Sequence, residues 1–103
     1  MIKVLVVDDH DLVRMGISRM LGDVPGLSVV GEADCGESAV TRARELKPDV
    51  VLMDVRMPGM SGLQVQQRLV DQQARLPIIM MTGHGDVPMA VAALKNGAFE
   101  FIE

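Results

Sequence analysis

The sequence predicts an α/β fold in which a parallel sheet is covered by helices on both faces. Three observations lead there. Short apolar runs alternate with segments of helical periodicity along the chain. The runs are apolar throughout, as expected of strands buried on both sides rather than half-exposed ones. Three of the runs end in polar residues (Asp8-Asp9, Asp54 and Thr82), as at the carboxyl edge of an open parallel sheet, where ligands bind.

The elements follow in order. Val4-Leu5-Val6-Val7 is a β-branched run that reads as the first strand. Val13, Ile17, Met20 and Leu21 then repeat at helical spacing, and Pro25-Gly26 is the expected stop. Leu27 to Val30 reads as the second strand. Ala39, Val40, Ala43 and Leu46 mark the face of a second helix, ended by Pro48. Val50-Val51-Leu52-Met53 is the third strand and leads into Asp54. Leu63 to Val70 reads as a Gln-rich third helix, and Pro77 to Met81 as the fourth strand. Val87, Ala90, Val91 and Leu94 form a fourth helix face, with Asp86 at its N-cap, Pro88 in its first turn and Gly97 as its stop. Ala98 to Ile102 reads as a fifth strand.

Composition narrows the function classes. The 103 residues suit one domain with a sizeable core. No apolar run approaches the ~18 residues of a membrane span, and Met1 to Val4 carry no signal-peptide pattern before Asp8 and Asp9. The single Cys35 fits a reducing cytoplasm and reads as a small turn or helix-start residue. A net charge of −4 and 2% aromatic residues make nucleic acid or an anionic membrane a poor partner for this domain. The nine methionines read as core filler.

Asp8, Asp9 and Asp54 are the informative residues. Alone, Asp8 and Asp9 read equally well as turn or helix-capping acids. Asp54, at the end of another apolar run, changes the balance. Three carboxylates at adjacent strand ends repel, each pair by on the order of 4 kcal/mol at ~4 Å and an effective dielectric of ~20. A hard divalent cation offsets that repulsion, and Mg²⁺ accepts a few carboxylates together with a phosphate oxygen. An Asp beside such an ion can act as nucleophile toward an activated phosphorus. Thr82, opening Thr82-Gly83-His84-Gly85, could donate to a phosphoryl oxygen or simply satisfy a turn. His10 and His84 read as loop or helix-start residues beside the acids.

Asp8-Asp9, Asp54 within Leu52-Met53-Asp54-Val55-Arg56-Met57-Pro58-Gly59, Thr82-Gly83-His84-Gly85 and Ala98-Phe99-Glu100-Phe101-Ile102 together resemble the receiver domain of two-component response regulators of the NarL/FixJ type. The resemblance spans the chain. It implies a flavodoxin-like, CheY-like doubly wound sheet of five parallel strands in the order 2-1-3-4-5. It also implies Mg²⁺ as cofactor, a sensor histidine kinase as partner, and control of an output such as transcription. By the same resemblance, Asp54 matches the phosphoacceptor and Asp9 a direct metal ligand. Asp8 matches a ligand acting through water, and the Arg56 backbone carbonyl a further ligand. Thr82 matches the switch hydroxyl and Phe101 the switch aromatic; Pro58 and Gly62 match residues shaping the loop after the acceptor. Residues 1 to about 60 resemble the NarL/GacA type and those from about 61 the FixJ type, which suggests a hybrid.

One departure stands out. The family pattern continues after the fifth strand with Lys-Pro and a fifth helix, whereas the sequence reads to Glu103. The expectation is a receiver domain over 1–103 that is truncated after the fifth strand and lacks the final helix. Phosphorylation would then be impaired. The loss of buried area would be on the order of 10 kcal/mol at about 25 cal/mol/Å², favouring a homodimer or domain-swapped oligomer. Two other functions compete: a phosphorylation-independent interaction domain, and a haloacid-dehalogenase-type phosphotransferase. The latter is disfavoured because its nucleophile sits in an Asp-x-Asp pattern, whereas Val55-Arg56 follows Asp54.

Overall fold

The computed structural model describes residues 1–54, 64, 65, 67, 68 and 76–81. In chain order these form β1 (Ile2–Val7), α1 (Asp11–Gly22), β2 (Leu27–Ala33), α2 (Gly36–Leu46), β3 (Val50–Asp54) and β4 (Ile78–Met81). Gln64, Val65, Gln67 and Arg68 are helical, within the expected third helix. The strands lie in the order β2-β1-β3-β4, and every pair is parallel. That is the expected order over the strands described. The expected fourth helix and fifth strand, with any cover they lack, lie outside the described residues.

Alternation along each strand divides the core between two faces. Val4 and Val6 point to one face, where they join Val50, Leu52, Ile79 and Met81 beneath Ile17 and Leu21 of α1. Leu5 and Val7 point to the other, with Val51, Met53 and Ile78 beneath Ala39, Val40 and Ala43 of α2, and with Val65. Every residue of Val4–Val7 and of Val50–Met53 is 0% exposed. Their unbroken apolar character is therefore a consequence of burial on both sides. Ile79 and Met81 are also buried.

Local chemistry sets the ends of the helices. Asp11 in the first turn of α1 and Arg19 in the last both complement the helix dipole. The helix ends at Gly22, three residues before the expected stop at Pro25-Gly26. Asp23 and Val24 donate their amides to Met20 and Leu21 and close the last turn early. Gly26 then takes φ +88°, a conformation costly for any other residue, and its carbonyl accepts from Ile2 N–H at 2.7 Å.

β2 runs three residues past the expected Val30. Its pairing with β1 skips Val30: Val4 faces Val29 and Leu5 faces Gly31. This bulge lets the strand continue through Gly31 and Glu32, past the apolar run that ends at Val30. Cys35 caps α2, its Sγ accepting from Ser38 N–H at 3.5 Å. α2 ends where expected: Lys47 adopts φ +48° and Pro48 follows.

Two stability outcomes follow. Leu52→Ala, at the centre of the sheet, should destabilise the fold by about 2–5 kcal/mol, read from urea denaturation. Lys47→Gly should instead stabilise by about 0.5 kcal/mol, because relief of the left-handed strain exceeds the entropy that glycine adds to the unfolded chain; a small rise in denaturation midpoint would show it.

Candidate functional site

Parallel register brings the acids together. Val7 pairs with Met53, so the next residues, Asp8 and Asp54, leave β1 and β3 at the same level of the sheet. One ligand atom from each of Asp8, Asp9, His10 and Asp54 lies within 4.8 Å of all the others. Asp8 is buried at 3% exposed, Asp9 and Asp54 are half-buried, and His10 is exposed. Three of these four were expected from the sequence; His10 was expected only nearby.

The loop after β1 is held by a few specific bonds. Asp8 N–H donates to Ala33 O at 3.0 Å, tying the loop to the end of β2. Asp8 Oδ1 accepts from His10 N–H at 2.8 Å. Asp8 is therefore a turn acid as well as a member of the cluster. His10 is the N-cap of α1 by backbone position but makes no side-chain cap. Its Nδ1 instead faces Asp9 Oδ1 at 3.1 Å and Asp8 Oδ1 at 3.5 Å. The 3.1 Å approach lacks hydrogen-bonding geometry: among the described residues, Asp9 Oδ1 is buried with no hydrogen-bond partner.

Arg14 was not singled out from the sequence. Its guanidinium donates to the Asp8 backbone carbonyl at 2.7 Å, Asp11 Oδ1 at 2.7 Å and Glu32 Oε1 at 3.0 Å. It thus binds the acid loop to α1 and β2. Its hydrogen bonds to Asp11 and, after the opposing effect of burial, to Glu32 raise its pKa above the usual arginine value, so it is cationic at any working pH. The sequence signal was slight: an i,i+3 spacing to Asp11, and a glutamate 18 residues away that only the fold brings near. Arg14 also lines an open depression of about 250 Å³ with Glu32, Asp34, Ser38 and Arg42, whose mixed charges favour no single-sign ligand.

The cluster suits a divalent cation. Three carboxylates within 4.8 Å repel by on the order of 3–4 kcal/mol per pair at an effective dielectric of ~20, and the buried Asp9 Oδ1 lacks the hydrogen bond that a buried acceptor normally has. A cation supplies both missing interactions. Asp54 pairs in the sheet with Met81, the residue before Thr82. Thr82 itself, the Arg56 carbonyl, Phe101, Pro58 and Gly62 lie outside the described residues. Among the described residues no helix is long and apolar enough to cross a membrane.

Comparison with known proteins bears on this arrangement. Residues 4–103 match the family described as the response regulator receiver domain. The chain is 55% identical over 98 residues to the response regulator GacA of Pseudomonas aeruginosa, covering 95% of this chain and 46% of that protein. It is 47% identical over 102 residues to the response regulator UvrY of Escherichia coli K12, covering 99% and 47%. The chain thus spans about half the length of the curated relatives it matches. One relative runs through both halves, so the mixed resemblance needs no hybrid origin. Among solved structures it is similar to the receiver domain of a NarL regulator from Mycobacterium tuberculosis, with TM-score 0.68 and 36% identity over 88% of this chain and 75% of that one. It is also similar to the regulator domain of Thermotoga maritima CheB, with TM-score 0.72 and 39% identity over 94% and 73%.

Arg14→Met should lower stability by about 1–2 kcal/mol, since it strips a charged donor from a backbone carbonyl and leaves Glu32 without that partner. It should also weaken divalent-cation binding by loosening the loop that carries Asp8 and Asp9. Chemical denaturation and calorimetric cation titration read the two effects separately.

Proposed function

The chain belongs to the response regulator receiver domain family, and on that premise we propose that it accepts a phosphoryl group on Asp54 from a sensor histidine kinase. Such domains are signalling modules rather than enzymes in the ordinary sense. The observation that carries the reading is the convergence of Asp8, Asp9 and Asp54 at one end of the sheet, with ligand atoms within 4.8 Å.

The chemistry assigned to the residues is as follows. Asp54 is the nucleophile: its carboxylate oxygen forms a bond to phosphorus while the donor's P–N bond breaks, and the donor histidine leaves as imidazole. Asp8 and Asp9, with Asp54 and the Arg56 carbonyl, would hold Mg²⁺, which when bound neutralises charge on the transferring group. Asp9 would be the direct ligand and Asp8 would act through water. Asp8 is oriented by His10 N–H, and its loop is braced by Arg14. The apolar floor of Val7 and Met53 limits the solvation of Asp54 from below. By the family pattern Thr82 is assigned the switch hydroxyl and Phe101 the switch aromatic, through which phosphorylation would alter the face that an output reads. The chain itself loses the group only slowly, by hydrolysis. It works in the cytoplasm, and a transcriptional output belongs to the longer protein of which GacA and UvrY are examples.

Beryllofluoride with Mg²⁺ should perturb amide resonances around Asp54 in the wild type and leave Asp54→Asn unchanged. Acetyl phosphate should label the first and not the second. Equal labelling of the two would remove Asp54 from its role.

A further inference from the structure

We infer that Glu32 is a positioning residue for the carboxylate site, delivered to it by the bulge in β2 and acting through Arg14. This rests on the reading of Asp8, Asp9 and Asp54 as the metal acids and adds a control on how Asp8 is held. The first observation is the face that Glu32 occupies. Val29 packs on the α1 side of the sheet, with Val4 and Val6. In a regular strand Ala33, four residues on, would share that face and Glu32 would lie on the other. The bulge reverses them. With Val30 skipped, Glu32 pairs with Val6 and Ala33 with Val7, and Ala33 packs on the α2 side. Glu32 therefore stands on the α1 side, where Arg14 Nε donates to its Oε1 at 3.0 Å. Re-aiming a side chain beside a site is a recurrent use of a bulge.

The second observation is that β2 holds Asp8 at both of its backbone groups. Ala33 O accepts from Asp8 N–H at 3.0 Å. The Asp8 carbonyl accepts from Arg14 at 2.7 Å, and Arg14 is anchored in turn on Glu32. Two consecutive residues at the end of β2 thus fix the peptide groups on either side of the Asp8 side chain. The Arg14 side chain is 15% exposed and that of Glu32 39%. So exposed an ion pair contributes little to global stability. The Glu32 carboxylate also offsets the guanidinium charge, which would otherwise oppose a cation beside Asp8. Glu32 therefore acts on the affinity of the site more than on the fold.

The test is calorimetric Mg²⁺ titration of the whole chain, with amide hydrogen exchange at Asp8 read by NMR in the metal-free protein. Glu32→Gln should weaken Mg²⁺ binding by about threefold to tenfold, below the loss typical of a residue bonded directly to a ligand, and should speed exchange at Asp8. Asp34→Asn removes an exposed charge from the same depression, on a residue that bonds Ser38 rather than Arg14. It should change Mg²⁺ affinity by less than about twofold. On an Arg14→Met background Glu32→Gln should add less than about twofold, because its route to Asp8 is already cut. Arg14→Gln takes the place of Arg14→Met if that background does not fold, and urea denaturation checks each variant. Unchanged exchange at Asp8 in Glu32→Gln, a Mg²⁺ loss no larger than that of Asp34→Asn, or the full loss persisting on the Arg14 background overturns the inference and leaves the carboxylate site standing. A wild type that does not bind Mg²⁺ overturns that site and the inference together.

Discussion

The register of β1 on β3 is the constraint on which the site depends. With Val7 opposite Met53, the residues that follow them must emerge side by side, about 4.8 Å apart in the pairing direction of a sheet. Both are aspartates. Sliding one strand by a single residue would separate them, but it would also turn every apolar side chain of that strand to the opposite face. The core fixes the register, and the register fixes the distance between like charges. Charge repulsion at the sheet edge is thus built in by hydrophobic packing and cannot relax by local adjustment of the strands.

The surrounding contacts read as responses to that repulsion. Arg14 places a permanent positive charge against the Asp8 carbonyl, and its bonds to Asp11 and Glu32 keep it there. These are partly exposed contacts, and each stabilises only modestly. The larger offset comes from beneath. The side chains of Val4–Val7 and Val50–Met53 are fully buried, and each contributes about 1.5–3 kcal/mol on transfer from water. A strained carboxylate edge is therefore sustainable only on a sheet covered on both faces, which is why the doubly wound architecture and the acidic site occur together here.

How far the sequence could be read follows from how local each determinant is. The strands were legible because their signal is a run of adjacent apolar residues, and α2 because Pro48 lies directly behind its last turn. The end of α1 was misplaced because its stop is a pair of backbone bonds at Asp23 and Val24, which leave no mark in residue type, whereas Pro25-Gly26 does. β2 was read short because the apolar run ends at Val30, before Gly31 and Glu32. Gly31 is instead the partner of Leu5 after the bulge, and a Cβ there would lie 2.5 Å from Leu46 Cδ1. Within the site, the carboxylates were visible as residue types at strand ends. Arg14 was not, because its partners are a main-chain oxygen and a glutamate on another strand.

The same geometry bears on the choice that local sequence left open between turn acids and metal acids. Asp8 is a turn acid that also belongs to the carboxylate cluster: one oxygen is committed to His10 N–H, and the side chain is almost wholly buried. A carboxylate so held is oriented but has less capacity left for direct coordination. Asp9, one residue later, has a buried oxygen that no hydrogen bond engages. Fixing one acid to shape the loop leaves the next one available, and the cost of burying that second oxygen without a hydrogen bond favours the proposed cation. This division supports the proposed assignment of Asp9 as the direct ligand and Asp8 as the indirect one. It also explains why two consecutive acids, rather than one, follow β1.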